Sequence, residues 1–78
     1  MYAYFLRTSR STDFKGYPGL AEARRALEDL INAESVDASS VTEEPDGKWV
    51  IRHGAQSHVK LWIENDKLET VPLNGASP

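Results

Sequence analysis

Seventy-eight residues without a cysteine make one domain near the small end of what folds unaided, and they exclude disulfides, thiolate chemistry and a cysteine zinc site. A net charge of -3 gives no reason to expect nucleic acid wrapped across a whole face, because phosphate contacts need concentrated cations. Apolar residues at 40% argue against wholesale disorder, and no apolar run approaches the roughly 18 residues of a membrane span, so a cytoplasmic chain is the expectation.

The apolar start, Met1-Tyr2-Ala3-Tyr4-Phe5-Leu6-Arg7, lacks a basic leading region and a full apolar stretch, so it reads as a strand and not as a signal peptide. Over residues 2 to 8, Tyr2, Tyr4 and Leu6 point one way and Ala3, Phe5 and Arg7 the other. Apolar groups on both sides suit a central strand. Residues 9 to 17 form a polar connection in which Phe14 and Tyr17 either tuck under the start of a helix or, with Arg10 and Lys15, furnish a binding loop.

Pro18 and Gly19 open that helix, which runs to about Ala33. Leu20, Ala23, Leu27, Leu30 and Ile31 recur at helical spacing and form the stripe that packs on a sheet. Arg24 to Glu28 and Arg25 to Asp29 are (i, i+4) pairs with the cation first, the weaker order against the helix dipole. Asn32 to Ser39 is a polar link, with Val36 placed to cover the helix end.

A strand over Ser40 to Glu44 meets the clearest local signal in the chain, Glu44-Pro45-Asp46-Gly47-Lys48. Proline presets φ, aspartate suits the next position, and glycine supplies the left-handed residue of a bulged hairpin loop. With Glu44 opposite Lys48, Val41 lies opposite Ile51. Strands over Lys48 to Arg52 and His58 to Glu64 follow, and pairing Ile51 with Val59 sets Trp49 against Leu61. A tight turn at Asn65-Asp66 then places Glu64 against Lys67, Ile63 against Leu68 and Leu61 against Thr70. The fold class expected is α+β, a single helix on one face of a mostly antiparallel four- to five-stranded sheet, β-α-β-β-β-β, over residues 1–71. Residues 72–78 form a tail.

One helix covers one side of such a sheet. The other carries Lys48, Val50, Arg52, His58, Lys60, Trp62, Glu69 and Val71, with either Tyr2, Tyr4 and Leu6 or Ala3 and Phe5 from the first strand. Aromatics beside arginine suit the buried centre of an interface. Alternatively, Trp62 lies flat under the stems of Lys60 and Arg52 as an ordinary amphipathic cover.

Catalysis is not expected. His53 and His58 have no third ligand at a recognised spacing, Glu43 and Glu44 face opposite ways on a strand, and the scattered glycines build no phosphate loop. No nucleophile elbow links the serines, histidines and aspartates, and no cofactor is implied. The function expected is non-catalytic binding to another protein or to a second copy. Candidate contacts are Val50, Arg52, Lys60 and Trp62 on the second face and the acids Glu28, Asp29, Glu43, Glu44 and Asp46. The alternative is a nucleic-acid-binding sheet module using Trp62, Arg52 and Lys60, against which stands the absence of the aromatic run of a base-stacking RNA module. At class level, a short, acidic, cysteine-free chain resembles the small inhibitors that phages and mobile elements encode against host machinery. Several of these occupy nucleic-acid grooves with acidic surfaces, and the resemblance implies contacts through Glu28, Asp29, Glu43, Glu44 and Asp46.

Overall fold

The computed structural model describes residues 2–72. The expected tail therefore lies outside the described residues from position 73 onward. Six elements follow in chain order: β1 (Tyr4–Thr8), β2 (Ser11–Tyr17), α1 (Leu20–Glu34), β3 (Ser40–Glu43), β4 (Trp49–Arg52) and β5 (His58–Asn65). The strands form one five-stranded sheet in the order β2-β1-β5-β4-β3, and every pair is antiparallel. One helix on one face of an antiparallel sheet is the α+β class that the hydrophobic patterning predicts.

The register of the β3-β4-β5 meander follows from its apolar pairs. Val41 faces Ile51, Ile51 faces Val59 and Trp49 faces Leu61. A slip of one residue would turn each of these side chains to the opposite face. The Glu44–Lys48 loop closes as its composition demands: the Glu44 N–H donates to the Lys48 carbonyl at 2.8 Å, the Gly47 N–H donates to the Glu44 carbonyl at 3.0 Å, and Gly47 takes φ 95°.

The helix begins at Leu20 with Gly19 as an extended N-cap that offers no side-chain cap. Glu22, in the first turn, folds its carboxylate back over Gly19, where a negative charge meets the positive end of the helix dipole. At the other end, Glu34 is adverse to the dipole, and the Arg10 guanidinium offsets it. Arg10 Nη1 donates to Glu34 Oε1 at 2.7 Å, and His53 Nε2 lies 3.8 Å from Glu34 Oε2. The turn between β1 and β2 is thus tied to the last helical turn through Arg10.

Ala23 and Leu27 of the helix pack on Ile51, Val59, Leu61 and Ile63, all buried, with Tyr4, Leu6, Tyr17, Leu20, Leu30, Ile31, Ala38, Trp49 and Val71 around them. Each fully buried leucine or isoleucine contributes on the order of 1.5–3 kcal/mol relative to exposure. Small Ala23 at the contact lets the helix axis approach the sheet. The helix lies over β1, β5, β2 and β4 and does not reach β3.

Several local expectations are corrected. Residues 11–17 are the edge strand β2, not a polar connection, because the chain reverses after Thr8 and pairs back along β1 from Phe14 to Tyr17, with a register shift between Arg7 and Thr8. Phe14 consequently points away from the helix and is 60% exposed, whereas Tyr17 does pack on the core. The Asn65-Asp66 turn is longer than two residues: Asn65 Oδ1 accepts the N–H groups of Lys67 at 2.9 Å and Glu69 at 3.0 Å. The returning chain therefore pairs Glu64 with Thr70 and sends the Val71 N–H to the Ile63 carbonyl at 2.8 Å, leaving Leu68 exposed. Val36 does not cover the helix end either, being 78% exposed, and Ala38 packs there in its place.

Candidate functional site

Strand alternation sends every second side chain to the face opposite the helix. There, cross-strand pairing sets Arg7 against both Phe14 and Trp62, and the pairing of Trp49 with Leu61 puts Lys48 beside Trp62. In sheet order the row reads Lys48, Trp62, Arg7, Phe14, a cation alternating with an aromatic ring. The contacts follow the row. Lys48 Nζ lies 4.8 Å from the Trp62 ring centroid, and the Arg7 guanidinium carbon lies 5.6 Å from that of Phe14. Such pairs are worth roughly 0.5–1 kcal/mol where exposed and more where desolvated.

Glu64 ties the row together from two positions further along β5. Its Oε2 accepts the Trp62 indole N–H at 2.8 Å and its Oε1 accepts Arg7 Nη1 at 3.1 Å. This carboxylate fixes both the tilt of the indole and the reach of the guanidinium. Phe5 adds an edge-to-face contact with Phe14 at 5.3 Å and 87°. Beyond them, Phe5, Arg7, Phe14, Glu64, Asp66 and Leu68 line a cleft of about 240 Å³. Two of its walls are apolar and open to solvent, Phe14 at 60% and Leu68 at 75%.

Of the residues singled out from sequence, Arg52, Lys60 and Trp62 share this face, with Arg52 exposed and the other two half-buried. Val50 shares it too but is 3% exposed, so it forms the floor beneath its neighbours. The first strand contributes Phe5, from the second of the two alternatives, and Arg7 on the same face. The Lys48 ammonium lies over the Trp62 ring. Arg52 and Lys60 make no ion pair among the described residues. The acids fall into two groups. Glu28 and Asp29 are exposed on the helix, while Glu43, Glu44 and Asp46 sit on β3, which the helix does not reach, and in the turn that follows it. Within the second group Glu43 takes the helix-side face, opposite Trp49. Arg24 and Glu28 approach to 3.9 Å.

Local sequence pattern does not single out Arg7, Phe14, Glu64 or Leu68 as contacts of this face. It does set Lys48 there, and an aromatic in an otherwise polar edge segment is the one available signal for Phe14. Arg7 and Glu64 are 57 positions apart, and only the adjacency of β1 and β5 joins them. Among the described residues no group of three or more histidine, cysteine or acidic side chains is placed to hold a metal, and no helix is long and apolar enough to cross a membrane.

No family model, no curated protein and no solved structure matches the chain.

Proposed function

We propose that this chain is a small non-catalytic binding domain, cytoplasmic, that docks a protein partner, another protein or a second copy, on the face of the sheet opposite its helix. The observation that supports this reading is the Lys48-Trp62-Arg7-Phe14 row with its exposed apolar cleft at Phe14 and Leu68. Aromatic and arginine side chains held in place before binding lose little entropy when a partner covers them. A protein partner suits the face better than a polyanion does, because Glu64 and Asp66 stand at one end of it and would oppose a phosphate chain crossing from Arg52 and Lys60. An inhibitor that occupies a host protein's surface, as phages and mobile elements encode, is one role such a docking face would serve.

The test is affinity capture from the native cell with parallel baits. Phe14→Ser and Trp62→Ala are expected to lose the captured protein, while Glu28→Ala, on the exposed helix surface, retains it. Retention by the face variants together with loss through Glu28→Ala would move the contact to the helix acids and refute the reading.

A further inference from the structure

The helix-free face is charged unequally along the strands. At the end where Arg52 pairs with His58, Arg52 and Lys60 are cations with no ion pair among the described residues. At the opposite end stand Glu64, Asp66 in the loop that follows β5, and Asp46 in the turn that precedes β4. Between the two ends runs the row of Lys48, Trp62, Arg7 and Phe14. Basic end, aromatic middle and acidic end follow one another in that order.

This order is self-complementary. A two-fold axis that lies between two such faces and runs across the strands lays the aromatic row of one chain on that of another. It reverses the strand direction, so each basic end meets an acidic end. Lys60 then faces the partner's Glu64 and, diagonally, the partner's Asp66, while Arg52 faces the partner's Asp46. The cations nearest the axis are those already engaged, Arg7 on Glu64 and Lys48 on the Trp62 ring. The molecule is a slab of 38 × 31 × 18 Å, and its broad side exceeds the roughly 800 Å² per partner that a standard interface uses. Aligned packing of two sheets is a recurrent solution for an apolar face, and an isologous contact closes after two copies, so it stops growth at the dimer.

We infer that the occupant of this face is a second copy of the chain, bound face to face about that axis. The inference rests on the docking reading above and names the partner for it. A single-stranded nucleic acid is the poorer occupant, since among the described residues of this face only Arg52 and Lys60 are cations engaged by neither a carboxylate nor a ring, and the carboxylates at the far end repel it.

The test is sedimentation equilibrium of the wild type, of Lys60→Glu, of Asp66→Lys, and of the two variants mixed in equal amounts. Each variant alone sets like charges against each other twice in the symmetric interface, and a roughly tenfold or greater loss of self-association is expected. In the mixture, the glutamate introduced in one chain faces the lysine introduced in the other, and the two unaltered residues face each other across the same axis. At one of the two contacts the introduced glutamate still faces Glu64 of the other chain, so the heterodimer is expected to be tighter than either variant's homodimer and weaker than the wild-type dimer. Neither Asp66 nor Lys60 makes a side-chain hydrogen bond or ion pair among the described residues, so both variants should give the wild-type far-ultraviolet spectrum. A wild type that stays monomeric at every concentration overturns the inference, as does a dimer that both substitutions leave unchanged. If the monomeric wild type captures a different protein and Phe14→Ser loses it, the docking face stands and only the second copy is refuted. If Phe14→Ser and Trp62→Ala also keep that protein, both readings fall. Binding of a labelled oligothymidylate by a monomeric wild type, lost in Lys60→Glu, would replace the second copy with a polyanion.

Discussion

Leu68 stands in its hairpin turn where Gly47 stands in the neighbouring one. In the first turn the Glu44 N–H reaches the Lys48 carbonyl at 2.8 Å and the Gly47 N–H reaches the Glu44 carbonyl at 3.0 Å; in the second, the Asn65 N–H reaches the Glu69 carbonyl at 2.9 Å and the Leu68 N–H reaches the Asn65 carbonyl at 3.0 Å. Both residues take a left-handed backbone, φ 95° at Gly47 and 64° at Leu68. Glycine adopts it freely, and leucine does not.

Leu68→Gly is therefore expected to stabilise the fold. The left-handed conformation costs a leucine about 1–2 kcal/mol, and the added freedom of glycine in the unfolded chain returns about 0.4–1 kcal/mol of that. A net gain of about 0.5–1 kcal/mol should appear as a higher urea midpoint at constant slope. The same variant should bind its partner less well, since Leu68 walls the open cleft.

Gly47→Ala is expected to do the reverse. A Cβ there strains the backbone and comes within 2.8 Å of the Pro72 Cα, so a loss of more than about 1 kcal/mol is expected on urea unfolding. The alanine must either distort the turn or push the returning segment at Val71 and Pro72 off the sheet. Loss of amide-exchange protection at Val71, whose N–H is held by the Ile63 carbonyl at 2.8 Å, would identify the second route.

Leu27→Ala measures the core. Leu27 is 1% exposed and lies against the central strands, so truncation should cost roughly 2–5 kcal/mol. In a domain this small that loss leaves a large unfolded fraction, visible in the far-ultraviolet spectrum at room temperature. A loss under about 1 kcal/mol would mean that the helix is not anchored through this residue.

Arg7 and Glu64 form a part-buried ion pair on the docking face, with side chains 28% and 14% exposed. Arg7 Nε is buried without a hydrogen-bond partner among the described residues, so the guanidinium depends on Glu64 for its satisfaction. Glu64→Gln should destabilise by about 1–2 kcal/mol, and a double-mutant cycle with Arg7→Met should show coupling of about 1 kcal/mol in thermal or urea unfolding. Additive effects would mean that the pair is solvated and does not order the row.

Much of the fold is legible in the sequence because local signals agree with one another. Val41 opposite Ile51, Ile51 opposite Val59 and Trp49 opposite Leu61 all stand as the period-two pattern places them, and the Glu44–Lys48 loop has the chemistry its geometry requires. The edge strand β2 is hidden because an edge needs no apolar alternation: it is paired on one side only, and Ser11, Thr12 and Lys15 serve there as well as valine would. The position of Leu68 escapes the pattern because no sequence signal marks a leucine with positive φ; the loop geometry set by Asn65 imposes it. The helix-free face is visible as a set of residues but not as a row, since the Arg7, Glu64 and Trp62 contacts exist only once β1 lies beside β5.

Trp62 offers the most direct measurement of whether a partner sits on this face. The chain has two tryptophans, and Trp49 packs on the helix side, so Trp49→Phe leaves Trp62 as the reporter. Its emission should shift to shorter wavelength and become protected from acrylamide as the protein is concentrated or its captured partner is added. Association seen by sedimentation with Trp62 emission and quenching unchanged would contradict a partner on the helix-free face.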